Sequence, residues 1–377
     1  MTTWSAAWID ERSARLVVRP APATAAGADE IVVRNHAVAV NPLDWIVQVA
    51  GSVAYRWLRY PFVLGSDVAG EVVEIGSAVT RFAVGDRVLA HAVGSDKDSN
   101  RAAEGGFQDR TVVLERLASA IPDDLPYEDA CVLPLSVSTA SCALFQTDLL
   151  ALRHPVADPV PTREVVLVWG ASTSVGLNAV QLAVAAGYQV VATCSPRNAD
   201  LVRSLGADQV VDYAGPTAVD DVVAALAGRR LAGTLAIGEG SSSACVEVVR
   251  RCEGRKFVAM LSTPVSFAGV GEGAGLPRTL LRIARSTLAL QVRSRRLGIV
   301  TKFVFGSTLK ANEVAEAVYE DFLPAALATG RYRAVPEPLV VGTGLGAVQE
   351  ALDVQRRGVS ARKVVVSLVP TAVSDPR

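Results

Sequence analysis

The chain has 377 residues and a formal net charge of −1 at pH 7, and 50% of its residues are hydrophobic. This length allows two or three domains that each bury a core, and the near-neutral charge gives no general case for binding nucleic acid. No stretch of about 18 apolar residues is present, so we predict no membrane span. The five cysteines form no C-x-x-C pair, which predicts reduced thiols and a cytoplasmic protein.

The first third of the chain has the pattern of short β-strands. Residues 30–40 and 68–73 are rich in β-branched residues and predict strands, and turns such as 84–86 recur between runs of this type. Few long helical periods occur before Tyr127. We therefore predict a β-rich, partly barrel-like domain in this part of the chain.

Residues 164–213 have the pattern of one nucleotide-binding unit. Residues 165–169 form an unbroken apolar run, which is typical of a parallel strand covered on both faces. A turn rich in glycine and serine follows, then a helical segment at 177–187 and a second apolar run at 189–193. Glycines let backbone amides approach a pyrophosphate, and a helix N-terminus favours its negative charge. We predict dinucleotide binding at this turn by Gly170, Ser172, Thr173, Ser174, Val175 and Gly176.

The end of the second apolar run indicates which dinucleotide binds. An NAD site places an acidic residue about 20 positions on, where it accepts hydrogen bonds from the ribose hydroxyls. Residues 194–198 (Cys-Ser-Pro-Arg-Asn) contain no carboxylate. A hydroxyl and a guanidinium suit a 2′-phosphate, because arginine binds phosphate oxygens in a bidentate fork. We therefore predict NADPH, bound by Ser195 and Arg197, with a solvated loop arginine as the alternative.

The remaining pattern gives the domain organisation. Strands and helices alternate from about residue 136 to 305, as a doubly wound α/β sheet requires. Residues 314–327 predict an amphipathic helix, and 362–369 predict a strand that rejoins the first domain. We predict a catalytic domain formed by residues 1–135 and 309–377, with a nucleotide-binding domain at 136–308.

Several motifs spread over the chain carry a family resemblance. They are Asn41-Pro42-Leu43-Asp44-Trp45, Leu64 to Val72, Val84 to Val88, Leu133-Pro134 with Thr139-Ala140, the glycine turn, Leu205 to Asp208, and Gly358 to Val366. With them the chain resembles the medium-chain dehydrogenase/reductase superfamily, most closely the zinc-independent quinone oxidoreductases and trans-acting enoyl reductases. Fungal proteins of that branch are called zinc-binding although they lack the zinc site. The resemblance implies a Rossmann sheet inserted into a β-rich GroES-like catalytic domain.

The residues also predict that no zinc is bound. A catalytic zinc needs about three ligands from Cys, His or carboxylate side chains. Where zinc-dependent relatives have a ligand cysteine and a His-Glu pair, this chain has Asn41-Pro42 and Ser66-Asp67. Residues 91–110 contain no cysteine, so the four-cysteine lobe is missing. The three histidines have no ligand spacing, and we expect strand, loop or packing roles for His36, His91 and His154.

The resemblance implies hydride transfer from the cofactor to an activated C=C bond in an enone, an enoyl thioester or a quinone, including substrates of secondary metabolism. It nominates Thr139 as a hydroxyl near the nicotinamide and Asn41 as a pocket amide; their alternatives are a helix N-terminal hydroxyl and a turn former. We expect Asp44 and Asp67 to cap turns. The resemblance places Lys363 beside the pyrophosphate, with an exposed strand-start lysine as the alternative. The resemblance also assigns four more residues to the cofactor site: Tyr213, Ile237, Phe305 and Gly306.

One departure from the family concerns the proton. Two residues after Asp44, relatives have tyrosine or lysine, whereas this chain has Ile46, which has no proton to donate. Either water or another tyrosine (Tyr55, Tyr60 or Tyr332) supplies the proton, or the reaction differs. Two alternatives therefore stay open: a dinucleotide-binding protein with little redox turnover, and a non-redox, cyclase-like enzyme on the same fold.

A basic segment forms the last feature. Residues 273–312 contain eight Lys and Arg residues and no acidic residue. Arg278, Arg282 and Arg285 follow the spacing i, i+4, i+7, which places them on one face of a helix. We interpret residues 278–310 as a docking surface for an anionic partner such as an acyl carrier protein. A solvated face is the alternative, and a membrane surface is favoured less.

Overall fold

The computed structural model describes residues 4–263 and 275–368. The chain divides into two compact units: unit 1 is drawn from residues up to Leu135 and from Leu327 onward, and unit 2 runs from Ser136 to Ala326. No helix in the described ranges is long and apolar enough to cross a membrane.

The amino-terminal part of unit 1 consists mainly of strands. The strands are β1 (Trp4–Ile9), β2 (Val17–Ala21), β3 (Glu30–Val40), β4 (Phe62–Val63), β5 (Asp67–Ile75), β6 (Arg87–His91), β7 (Arg110–Leu114) and β8 (Ala118–Ala120). The helices are α1 (Pro42–Ala54) and α2 (Tyr127–Ala130). Helix α1 has 13 residues, although the sequence predicted few long helices before Tyr127. Its start is fixed locally, because Pro42 suits the first helical position and the Asp44 carboxylate accepts a hydrogen bond from the Asn41 N–H.

Unit 2 has the predicted alternation of helices and strands. Its elements are α3 (Pro134–Phe145), which begins two residues before the unit, β9 (Glu164–Trp169), α4 (Ser174–Ala185), β10 (Gln189–Cys194), α5 (Ala199–Ser204), β11 (Gln209–Asp212), α6 (Ala218–Ala225), β12 (Arg230–Ala236), α7 (Ser241–Arg251), β13 (Phe257–Met260), α8 (Gly275–Arg296) and β14 (Val300–Phe303). A π-helix at Glu316–Phe322 leads into α9 (Leu323–Ala328). The carboxyl-terminal elements of unit 1 are β15 (Glu337–Thr343), α10 (Val348–Arg357) and β16 (Arg362–Ser367).

Within the described residues of unit 2, the strands form one parallel sheet in the order β11-β10-β9-β12-β13-β14. When the strands are numbered from β9, this is the order 3-2-1-4-5-6 of a doubly wound nucleotide-binding sheet. All strands are parallel, and the order in which the chain adds them reverses between β9 and β12. The core beneath it includes Val165, Leu167, Val222, Val246 and Val249. The Rossmann prediction is confirmed.

In unit 1 the described strands form two sheets. The larger has the order β15-β16-β3-β5-β6-β8, with β7 also paired to β3, and the smaller has the order β2-β1-β4. Strand β16 pairs antiparallel with β3, so the last strand rejoins the first domain as predicted. The β-rich half of the predicted fold class is therefore confirmed.

Unit 2 ends later than the sequence predicted. Its last residue is Ala326, whereas the predicted nucleotide-binding domain ended at residue 308. Residues after 308 belong to unit 2 because their apolar side chains, including Val314, Val318 and Phe322, are buried, and the Tyr319 hydroxyl lies 2.7 Å from the Ser138 hydroxyl of α3. Sequence periodicity cannot reveal such a contact between distant segments.

Candidate active site

The turn between β9 and α4 has a backbone that only small residues allow. Gly170 has φ +85°, and a Cβ there would lie closer than 3 Å to the Ile237 carbonyl oxygen. A Cβ on Gly176 would clash in the same way with the Gly170 carbonyl. Thr173 is the N-cap of α4, and its Oγ1 accepts a hydrogen bond of 3.0 Å from the Gly176 N–H.

The first turn of α4 presents free backbone donors. Within the described residues, the N–H groups of Ser174 and Val175 donate no hydrogen bond, whereas those of Thr173 and Gly176 donate to Gly170 and Thr173. Such donors and the positive end of a 12-residue helix suit a phosphate group. The buried Thr193 supports the turn, since its Oγ1 accepts from the Gly170 N–H at 3.1 Å. Sequence reasoning missed Thr193, although its place at the end of β10 was a usable signal.

The predicted 2′-phosphate residues lie at the carboxyl ends of the next two strands. Cys194 of β10 is paired with Asp212 of β11, so Ser195 and Tyr213 each follow a paired residue at the same edge of the sheet. Arg197 is exposed in a short 3-10 turn at Pro196–Asn198. The structure therefore brings the three predicted residues to one corner of unit 2.

The other predicted cofactor residues follow β12 and β14. Ile237 comes directly after β12, and its N–H donates to the Trp169 carbonyl at 3.0 Å. Phe305 and Gly306 follow β14, and Phe305 is exposed. Thr139 of α3 lies against Gly306, where an added Cβ would clash with the threonine hydroxyl. The predicted residues of unit 2 thus collect where ligands bind in doubly wound folds, at the carboxyl ends of the strands.

In unit 1, three predicted or flanking residues form a buried ionic network. The Lys363 ammonium lies 2.8 Å from the Asp67 carboxylate, and their side chains are 4% and 0% exposed. The Asn41 amide bridges them, donating from Nδ2 to Asp67 at 2.8 Å and accepting from Lys363 at Oδ1. The Leu135 N–H donates to the second Asp67 oxygen at 2.6 Å. Every charge in the network is therefore paired, as burial requires.

Sheet register explains why residues so distant in sequence meet. Ala39 of β3 is paired with Asp67 of β5, and Val40 is paired with Val364 of β16. The Lys363 ammonium therefore contacts Asp67 and Asn41 inside unit 1, so Lys363 is not an exposed lysine at the start of a strand. The sequence analysis did not predict these contacts. Its role toward the pyrophosphate stays a prediction. Asp67, expected to cap a turn, is instead the counter-ion of Lys363.

Asp44 extends this network. Its carboxylate accepts from the Asn41 N–H at 2.7 Å, so it caps α1 as expected. Burial raises the pKa of Asp44 to about 7, with the Asp67 charge acting in the same direction, against backbone hydrogen bonds and the Lys363 charge that lower it. Ile46 lies half-buried on the same helix.

Acidic residues, histidines and cysteines are the side chains that could ligate a metal ion in this chain. In residues 4–263 and 275–368, no three of these side chains come together in a way that could hold a metal ion. His36 packs on the Tyr127 ring at 4.4 Å, His154 packs on the Phe145 ring at 5.7 Å, and His91 ends β6 opposite Asp67. All five cysteines are free thiols.

Known proteins are similar to this chain in sequence and in architecture. Residues 27–123 match the family described as alcohol dehydrogenase GroES-like domain, and residues 174–251 match the family described as zinc-binding dehydrogenase. The chain is 45% identical to the dehydrogenase pigH of Monascus ruber, over 98% of this chain and 100% of that protein. It is 39% identical to the trans-enoyl reductase himH of Aspergillus japonicus, over 96% and 97% of the two chains.

A solved structure has the same fold. A mycobacterial protein complexed with NADPH superimposes with a TM-score of 0.65 at 20% identity, covering 97% of this chain and 100% of that one. The glycine turn, the free donors of α4 and the strand-end residues fit a nicotinamide dinucleotide. The chain belongs to the medium-chain dehydrogenase/reductase superfamily, in its enoyl-reductase-like branch, and is an oxidoreductase of the medium-chain dehydrogenase/reductase type.

Proposed function

We propose that the protein catalyses the NADPH-dependent, zinc-independent reduction of a C=C bond conjugated to a carbonyl group, in an enone, an enoyl thioester or a quinone. The observation that carries the proposal is the Lys363–Asp67–Asn41 network. It includes the positions at which zinc-dependent relatives hold metal ligands, and its members satisfy one another. The 39% identical relative is a trans-enoyl reductase, which supports the same chemistry.

Two observations support NADPH as the cofactor. Ser195 and Arg197 follow β10 without a neighbouring carboxylate before Asp200, which suits a 2′-phosphate better than a ribose hydroxyl. A protein of the same fold is complexed with NADPH. We also propose a cytoplasmic location, since the five cysteines are free thiols.

When bound, the reduced nicotinamide supplies a hydride to the β-carbon of the substrate. The electron pair of the C=C bond moves toward the carbonyl group and gives an enolate. The α-carbon of the enolate then takes a proton, so the product gains one hydride and one proton. Donors aimed at the enolate oxygen lower the barrier to this step. We assign the Thr139 hydroxyl to the nicotinamide side of the site and the Asn41 amide, fixed by Asp67 and Lys363, to the pocket.

We propose Tyr60 as the proton donor. Ile46 has no proton to give, and Tyr60 is one of three tyrosines that the sequence offers in its place. Its hydroxyl is buried and has no hydrogen-bond partner in the described residues. Burial raises the pKa of Tyr60, so the hydroxyl keeps its proton at neutral pH. We propose that this unpartnered hydroxyl gives its proton to the α-carbon of the substrate.

The proposal is tested by following NADPH oxidation with a panel of enones, enoyl thioesters and quinones, with and without a zinc chelator. We expect turnover of at least one class, unchanged by the chelator, and much slower turnover with NADH. Tight NADPH binding without oxidation by any member would favour the binding-protein alternative. Conversion of a substrate without cofactor consumption would favour the cyclase-like alternative. Stoichiometric zinc by elemental analysis, with activity lost on chelation, would overturn the zinc-independent reaction.

A further inference from the structure

Helix α8 presents an outward face that is both basic and apolar. Arg278, Arg282, Arg285, Arg293 and Arg296 share one side of this 22-residue helix, which we call the basic face. The opposite side is packed on unit 2, where Leu290 and Ser294 are buried. The basic face is therefore the solvent side of a packed helix.

The charges of this face are largely uncompensated. Glu247 of α7 lies 2.7 Å from Arg293 and also pairs with Arg250. In the described part of the chain, the side chains of Arg278, Arg282 and Arg285 make no ion pair or hydrogen bond. Like charges at spacings of three and four residues repel one another on a helix. The whole chain has a net charge of −1, but α8 contains no acidic residue. The helix therefore concentrates positive electrostatic potential on one part of the surface.

Apolar side chains lie beside the arginines. Leu281, Leu288 and Val292 are 52%, 66% and 41% exposed. Leu288 follows Leu281 by seven residues and Val292 follows Leu288 by four, so these three side chains form a narrow apolar stripe along the edge of the basic face. Helix-binding surfaces combine such apolar anchors with flanking charge.

The topology places this face near the cofactor edge of unit 2. Strands β13 and β14 are parallel neighbours, so α8, which connects them, runs back against the strand direction. Its first half, with Arg282 and Arg285, therefore lies toward the carboxyl ends of the strands, where the predicted cofactor residues collect. A helix of this length spans about 33 Å, so the two halves of the face are well separated.

We propose that the basic face of α8 docks an acyl carrier protein, whose acidic helix pairs with the arginines while an apolar ridge seats on Leu281 and Leu288. The choice of this acidic partner rests on the proposed function, since such a carrier presents an enoyl thioester on a long arm. The charge and the apolar stripe are independent of it. A carrier bound on the first half of α8 delivers its arm to the edge of the sheet where chemistry takes place.

Other occupants fit the face less well. A second copy docked by a two-fold axis would bring the same arginines together, and like charges across an interface oppose association. A membrane-bound helix buries a broad apolar sector, whereas the apolar stripe here is three residues long and bordered by arginine. An acidic protein satisfies both the charge and the stripe.

The test uses the full-length protein and a phosphopantetheinylated acyl carrier protein of a polyketide synthase, with binding measured by titration calorimetry at low and high salt. The test variant is Arg282→Glu/Arg285→Glu, and the matched control is Arg153→Glu/Arg357→Glu, which changes the net charge equally at two exposed sites elsewhere. Arg282 and Arg285 are both exposed on α8, so the two substitutions remove no buried contact. Leu288→Ala removes the apolar anchor without changing charge.

We expect the carrier to bind the parent protein and the control equally, and to bind the test variant roughly tenfold or more weakly, with affinity falling as salt rises. Leu288→Ala should weaken binding at every salt concentration. Equal binding by test and control variants, or no binding by the parent protein, would overturn the proposal. Binding of anionic vesicles or self-association that the test variant abolishes, without carrier binding, would replace it by a membrane or a dimer contact. Carrier binding without oxidation of NADPH by any enone, enoyl thioester or quinone would leave docking intact and remove the proposed function.

Discussion

The ammonium of Lys363 lies 2.8 Å from the carboxylate of Asp67, and the two side chains are almost completely removed from solvent. These residues come from β16 and β5, which flank β3 in one sheet of unit 1. By family resemblance, Asp67 belongs to the segment in which zinc-dependent relatives hold a metal ligand. The positive charge in that region of this chain is therefore a lysine side chain, fixed by a carboxylate and an amide.

Breaking this pair should cost far more stability than breaking an exposed pair. Lys363→Met leaves the Asp67 charge buried without a counter-ion, and we expect the free energy of unfolding to fall by about 3–5 kcal/mol. Lys302→Met is the matched control, because the Lys302–Asp148 pair is exposed and should contribute less than about 1 kcal/mol. Urea unfolding measures both. Adding Asp67→Asn to Lys363→Met should recover part of the loss; equal small losses in the two lysine variants would contradict the network.

The pKa of Asp44 predicts a pH dependence of stability. Burial raises this pKa from 3.8 to about 7, so between these values the folded protein holds a proton that the unfolded chain has lost. The contribution of Asp44 is therefore present at low pH and is lost as the pH rises toward 7. Asp44→Asn keeps an oxygen for the Asn41 N–H and does not titrate. The free energy of unfolding of this variant should fall less steeply across that window than that of the parent protein; parallel curves would show that Asp44 is ionised throughout.

Arg197 should decide between the two nicotinamide cofactors. Arg197→Ala removes hydrogen bonds to the 2′-phosphate and should weaken NADPH binding by roughly 1.5–3 kcal/mol, with little change for NADH. Arg203→Ala is the control, because Arg203 is exposed nearby on α5 and is paired with Asp200. Calorimetric titrations with both cofactors make the comparison. Equal losses for NADPH and NADH would remove Arg197 from the 2′-phosphate site.

Much of unit 2 could be predicted from sequence because its signals are local. The apolar run of β9, the glycine turn and the start of α4 are contiguous, and the Gly170 backbone explains the turn sequence. The bounds of β3 also match the predicted strand at 30–40. Such elements are set by neighbours along the chain.

The network of unit 1 could not be predicted in this way. Asp67 and Lys363 meet through strand pairing across most of the chain, and neither residue type indicates burial by itself. The position of residues 309–326 in unit 2 depends likewise on a distant contact, between Ser138 and Tyr319. The sequence analysis named Asn41, Asp67 and Lys363 separately but did not predict the contacts that join them.

Tyr60 should be needed for protonation and not for binding. Tyr60→Phe removes only the unpartnered hydroxyl, and loss of a general acid typically lowers turnover by about 10²–10⁴-fold. Cofactor affinity and thermal stability should stay unchanged. Tyr332→Phe, at another tyrosine that the sequence offers, is the control and should leave the rate constant of reduction within a few fold of the parent. A Tyr60→Phe variant that reduces enones at the parent rate would assign the proton to water or to another side chain.

The most direct test of the proposed reaction is to follow the transferred hydrogen. The protein is incubated with an enone and with each of the two forms of NADPH that carry deuterium at C4, and the product is analysed by NMR. The proposed reaction predicts that one of the two forms places deuterium on the β-carbon, that the α-carbon takes hydrogen from solvent, and that the carbonyl group is retained. Deuterium on the former carbonyl carbon would show an alcohol dehydrogenase reaction, and a product without deuterium would contradict hydride transfer altogether.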